Sequence, residues 1–158
     1  GRTEYRLKSV GFVFQFYNLV PSLTAYENVA LIAELTGGEV HERTADVLAS
    51  VGLGDRMDHF PGQLSGGEQQ RVSIARGLVK DPPLMLCDEP TGALDTETGT
   101  QVLSLLREVT DSGDRTIIVV THNSEIAKIA NRVIDLRDGE IVETSEVASP
   151  MRPADVAW

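Results

Sequence analysis

The hydrophobic residues of this chain fall into short continuous runs separated by longer stretches with helical spacing. Val10 to Phe14 is an apolar run rich in β-forming residues that stops at Gln15, which predicts a buried strand and then a loop through Asn18, Pro21 and Ser22. Thr24 and Glu27 stand three apart ahead of an apolar-periodic stretch. This capping-box spacing predicts a helix to about Thr36, ended by Gly37 and Gly38. A second helix is expected from about Val40 to Val51, with Val40, Ala45, Leu48 and Val51 on its apolar face and Gly52 as its left-handed cap. Ser65, Gly66 and Gly67 open a third run of good helix formers that reaches Lys80, so residues 24–80 read as mainly helical.

Beyond Pro82 and Pro83 the pattern changes. Leu84 to Cys87 is continuously apolar and ends in Asp88 and Glu89, as at the carboxyl end of a buried parallel strand. Glu97 to Thr110 carries Val102, Leu106 and Val109 on one helical stripe stopped by Gly113, and Thr116 to Val120 (TIIVV) is the strongest strand signal. A short helix is expected from about Ser124 to Ala130. Two alternating runs then flank Asp138-Gly139, a hairpin turn, and the tail from Ser145, with Pro150 and Pro153, is expected to be loose. Strands alternating with helices imply an α/β domain with a mostly parallel sheet and its chemistry at the carboxyl ends of the strands. The residues found there are Gln15, then Asp88 and Glu89, then Thr121 and His122.

Size and charge narrow the picture. A chain of 158 residues with 41% hydrophobic positions fits one domain, and a net charge of -10 opposes the phosphate-backbone footprint that nucleic acid needs, so nucleic acid is not an expected partner. Cys87 is the single cysteine and reads as a small buried hydrophobe of a reducing compartment. No apolar run approaches the roughly 18 residues that would span a bilayer, so any membrane role is expected to go through a partner.

The helix start at Ser65 exposes unpaired N–H groups at the positive end of aligned peptide dipoles, which suits a phosphate. The pattern G-x-x-x-x-G-K-[ST] is nevertheless absent, and so is any Gly-Lys pair, leaving half of a phosphate site. Asp88 and Glu89 suit a magnesium site beside a general base or water-orienting group. Taken singly, the acidic pair also fits a solvated loop start, His122 a structural donor and Gln15 a turn former. His41 and His59 stand in polar or loop context and read as surface residues, and Trp158 receives no role.

Order along the chain is more specific. LSGGEQQR followed by LMLCDEP, GALD and TH closely resembles the nucleotide-binding subunit of ATP-binding cassette (ABC) transporters, from about Val10 to Val142, and FVFQFYNLVPSLTAYENV and DEPTGALD are similar to the lipoprotein-releasing and macrolide-exporter branch. The resemblance implies a P-loop NTPase-like α/β fold. Its core sheet would use residues 1–15 and 81–144, its helical subdomain residues 16–80, and residues 145–158 would form a tail. It implies ATP and Mg2+ as cofactors, a second nucleotide-binding subunit and a transmembrane permease as partners, and a place on the cytoplasmic face of the bacterial inner membrane. Gln15 would touch the magnesium site and couple to the permease, with Tyr17, Asn18 and Leu19 beside the coupling contact. Ser65, Gly66, Gly67 and Glu68 would face the γ-phosphate of ATP on the opposite subunit. Asp88 would hold magnesium, Glu89 would polarise the attacking water, Asp95 would sit at the dimer interface and His122 would contact the γ-phosphate.

The family's adenine-stacking aromatic and Gly-Lys-Ser/Thr loop have no counterpart in these residues. The expectation is therefore a domain without its N-terminal strands and P-loop, with weak ATP binding and no turnover alone, and with unpaired strand edges and uncovered apolar faces. The competing reading is a non-hydrolysing interaction module that lends Ser65 and Gly67 to a complete partner's ATP. A DNA-repair ATPase of the same superfamily would need a long coiled coil between Gln15 and Ser65, and no sustained heptads occur there.

Overall fold

The computed structural model describes residues 1–157, apart from the side chains of Arg6 and Leu7; Trp158 lies outside the described residues. Residues 1–120 and 121–158 are two compact units. The first holds α1 (Arg2–Ser9), β1 (Val10–Phe14), α2 (Ala25–Thr36), α3 (Val40–Ser50), α4 (Gly66–Leu78), β2 (Leu84–Asp88), α5 (Thr96–Asp111) and β3 (Thr116–Val120). Within this first unit α4 packs directly on β1 and joins the helices to the sheet.

Capping chemistry explains where the helices start. Thr24 Oγ1 accepts from the Glu27 N–H at 3.1 Å while Glu27 Oε1 accepts from the Thr24 N–H at 3.3 Å, the reciprocal box expected for α2. Gly37 and Gly52 follow α2 and α3 with φ of 73° and 78°, a left-handed conformation that glycine adopts without steric cost. Asn28, buried on α2, donates through Nδ2 to the carbonyls of Val20, Leu23 and Thr24, and its Oδ1 accepts from the Val20 N–H. One amide thereby holds the loop after β1 against α2. On α3 the buried residues are Thr44 and Leu48; Ala45 is half-buried, and Thr44 is accommodated by donating to the Val40 carbonyl at 2.6 Å. Residues 2–9 form α1, where Glu4 and Lys8 pair one turn apart.

The three strands form one parallel sheet in the order β1-β2-β3, with Phe12 level with Leu86 and Leu86 with Ile118. Pleating sends Val13, Met85 and Cys87 to the face covered by helices, where each is fully buried. Gly11 lets α4 approach: a Cβ there would lie 2.8 Å from the Gly77 carbonyl oxygen. Burial also pushes the Cys87 thiol up to about 12, since the charged thiolate would lose its hydration. On the opposite face Phe12 and Phe14 stack with centroids 6.2 Å apart, and together with Ile118 and Val120 they remain exposed.

In the second unit, β4 (Arg132–Arg137) and β5 (Glu140–Glu146) form the expected antiparallel hairpin, with Asp138 and Gly139 at φ of 51° and 80° in its turn. Two expectations are corrected here. Residues 124–130 contain only a short 3-10 turn, Ile126–Ile129, because the Thr121 and Asn123 side chains accept from the N–H groups of Asn123 and Glu125 and bend the chain instead of capping a helix. The tail is ordered: β5 runs through Glu146, the Met151 N–H donates to the Lys128 carbonyl at 2.9 Å, and Pro153 and Val156 are buried.

Candidate functional site

The amino end of α4 is the best-defined element of the site. Ser65 is its N-cap: Oγ accepts from the Glu68 N–H at 3.1 Å, and Glu68 Oε1 accepts from the Ser65 N–H at 3.0 Å. Arg56 Nε donates to Glu68 Oε2 at 3.2 Å. These contacts, the Ser65 N–H first, hold the Glu68 carboxyl below the ordinary carboxylate value. Within this chain the Glu68 carboxylate is engaged by the Ser65 N–H and by Arg56, at the start of its own helix. The S-x-x-E spacing in LSGGEQQR is the sequence signal of this reciprocal cap. The cap leaves the N–H groups of Gly66 and Gly67 without an intrahelical acceptor.

Both glycines also have packing reasons. A Cβ on Gly66 would lie 2.9 Å from the Tyr17 hydroxyl, and one on Gly67 only 2.1 Å from Thr98 Cγ2. Thr98 is held there by Asp95, the N-cap of α5, whose carboxylate accepts from the Thr98 N–H at 3.0 Å and from the Thr98 hydroxyl at 2.8 Å. The same two contacts lower the Asp95 pKa. Thus the start of α5, the start of α4 and Tyr17 of the loop after β1 meet. Asp95 was expected at an interface between subunits; within this chain it is the residue that fixes the start of α5.

The strand ends supply the second cluster. Phe14, Asp88 and Val120 are level across the sheet, so Gln15 and Glu89 leave it at the same edge. The Glu89 N–H continues the ladder to the Val120 carbonyl at 2.8 Å, yet Glu89 has φ of 46°, a left-handed conformation uncommon for a residue with a side chain. Such strain persists only where surrounding contacts impose it, and it concentrates at functional positions. A Cβ on Gly92 would lie 2.6 Å from Gln15 Nε2, so the Gln15 amide rests on the turn that follows Glu89. Tyr17 and Asn18 are left-handed as well, and the Arg76 guanidinium donates to both of their carbonyls, at 2.9 and 2.6 Å. His122 is exposed and belongs to the second unit. His41 accepts or donates a 2.8 Å hydrogen bond with the Tyr26 hydroxyl, and His59, half-buried, offers its carbonyl to the Ala25 N–H that begins α2.

Among the described residues no group of three or more His, Cys, Asp or Glu side chains could hold a metal ion. That donor count suits magnesium only in its usual mode, held by one or two protein oxygens with phosphates and water completing the shell. Asp88, exposed at the end of β2, and Gln15 are compatible with that mode. No helix among the described residues is long and apolar enough to cross a membrane.

Comparison with known proteins bears on the family and the fold. The family described as ABC transporter matches residues 2–92. The chain is 51% identical over 142 residues to the lipoprotein-releasing system ATP-binding protein LolD of Syntrophus aciditrophicus, covering 88% of this chain and 64% of that protein. It is 51% identical over 143 residues to the macrolide export ATP-binding/permease protein MacB of Hyphomonas neptunium, covering 89% of this chain and 22% of that protein. Among solved structures it is similar to the ATP-binding cassette MJ0796 in a dimeric post-hydrolysis state bound to ADP and Pi, with 40% identity and a TM-score of 0.80 over 93% of this chain and 66% of that one. The chain therefore spans less than two thirds of the length of these relatives.

Proposed function

The chain belongs to the ABC transporter family, and on that premise we propose that it is part of an ATP-hydrolysing subunit that drives export through a membrane permease. The observation that carries this reading is the start of α4, where Ser65 and Glu68 satisfy each other and leave the Gly66 and Gly67 N–H groups available to an anion. In the proposed assembly this helix end closes over the γ-phosphate of ATP held by another polypeptide. That one relative is an ATP-binding/permease protein and another a dimeric cassette supports a permease and a second cassette as partners; the proposed place is the cytoplasmic face of a bacterial inner membrane.

Asp88 and Gln15 would hold Mg2+, which when bound neutralises charge on the transferred phosphate. Glu89 orients the attacking water and takes up its proton, His122 donates to the γ-phosphate, and Asp95 keeps α5 in place beside Gly67 at the interface between subunits. Because these 158 residues contain no Gly-Lys pair, the chain by itself holds few donors for a triphosphate and is expected to bind Mg-ATP weakly. The same feature favours a second reading, in which the chain only completes a partner's site.

The test uses an assembly in which another polypeptide supplies a G-x-x-x-x-G-K-[ST] loop. Glu89→Gln is expected to retain nucleotide binding and to lower turnover by about 100-fold or more. Ser65→Arg should block closure and abolish turnover while leaving Mg-ATP bound to the loop. Parent-rate turnover in Glu89→Gln would remove Glu89 from the reaction and leave the second reading. Micromolar binding of Mg-ATP by the isolated chain would overturn the two-sided site altogether.

A further inference from the structure

Gln70 lies on α4, fully buried, five residues after Ser65. Its Nε2 donates to the Phe14 carbonyl at 3.2 Å and to the Pro90 carbonyl at 2.5 Å. Phe14 immediately precedes Gln15, and Pro90 immediately follows Glu89. Two acceptors determine which way the amide points, since the opposite orientation would set Oε1 against two carbonyl oxygens. Oε1 is then buried with no hydrogen-bond partner among the described residues. An unpaired buried acceptor is costly, and a leucine or methionine would fill the same space without it. The amide has a compensating use only in its two donated bonds.

We infer that Gln70 is a positioning residue: its side-chain amide ties the chain before Gln15 to the chain after Glu89 and links both to the helix that Ser65 opens. This rests on the roles proposed above for Gln15 and Glu89, which Gln70 would not itself share, being enclosed and away from solvent. A helix is stiff over the five residues from Ser65 to Gln70, a rise of about 7.5 Å. Displacement of the Ser65 end by a bound phosphate would therefore be felt at Phe14 and Pro90. Glu89 is strained where it stands, at φ of 46°, and the Pro90 bond is one of the contacts that hold it there.

The first measurement needs no variant and no nucleotide. In the unmodified chain the Gln70 side-chain NH2 protons should exchange with deuterium at least about tenfold more slowly than those of exposed Gln101, followed by NMR. Gln70→Leu and Gln70→Met, which remove the donors with different shapes, should both shift the amide resonances of Gln15 and of Glu89 to Gly92 and raise their exchange about tenfold, with α2 and α3 unchanged. Ser73→Ala, equally buried one turn on with a hydroxyl that has no hydrogen-bond partner among the described residues, controls for any disturbance of the helix and should leave those resonances in place. In an ATP-hydrolysing assembly, Gln70→Leu should lower kcat about tenfold with KM for ATP nearly unchanged. Exchange of the Gln70 NH2 at the Gln101 rate would overturn the inference even if the variants fail to fold. So would unshifted Gln15 and Glu89 amides in folded variants, or an effect confined to KM. The NMR arms involve no ATP, so they separate a failure here from a failure of the proposed function.

Discussion

The two faces of the β1–β2–β3 sheet are made of alternate residues on the same strands and have opposite fates. On one, Val13, Met85 and Cys87 are 0% exposed beneath α4 and α5; on the other, Phe14 is 39% and Val120 55% exposed although both are as apolar as their neighbours. Parallel sheets occur almost entirely with both faces covered, because crossover helices lie on them. The contrast teaches that composition of a strand does not decide burial. What decides it is whether a helix reaches the face, and here Gly11 and Gly77 allow α4 to reach one of them closely.

The largest expected effect tests the covered face. Met85→Ala should lower unfolding free energy by about 3 kcal/mol, because it opens a cavity between β2 and α4, whereas Ile118→Ala should cost less than about 1 kcal/mol. Urea denaturation of both variants measures the difference, and equal losses would erase the contrast between the faces. Gly11→Ala comes next, at about 1 to 3 kcal/mol, since its Cβ would meet the Gly77 backbone, which cannot rotate away; Phe12→Ala, one residue along on the open face, should cost less. Ile118→Lys should change stability by no more than about 0.5 kcal/mol yet shift a concentrated solution toward monomer in light scattering. A parent chain already monomeric with a cooperative melt would show that water tolerates the open face. The smallest effect lies away from the sheet. Glu68→Gln keeps the capping hydrogen bond but removes the charge; the Glu68 pKa is depressed below 4.5 by folding, so its contribution is present above that pH and lost as pH falls through the folded value. The parent should melt slightly higher than Glu68→Gln at neutral pH, and the margin should vanish in acid.

Much of the site was legible because its signals are local. The Thr24-Glu27 box, the Asp138-Gly139 turn and the three strands appear where spacing and propensity put them. The Ser65-Glu68 box is equally local, and its glycines also fit a phosphate-binding helix start. Asp95 as the cap of α5 has the same kind of signature. Other features had no local signal. The left-handed backbone of Glu89 and Tyr17 follows from what Val120 and Arg76 offer them across the fold. Gln70 looks like any polar residue of an exposed helix until Phe14 and Pro90 are brought to it from 56 and 20 positions away.

The amino-acid pattern was enough for most of the elements, several of their caps and turns, the family, and the order of the residues that carry chemistry, because these depend on contacts within a few residues or on short patterns; α1 and the turn at residues 126–129 were not among them. Only the tertiary structure decided which sheet face is buried, why Gly67 must lack a side chain beside Thr98, and that a buried amide joins Gln15 to Glu89. Those outcomes depend on packing between segments far apart in the chain, where steric fit and the pairing of buried polar groups act across space and leave no period to read.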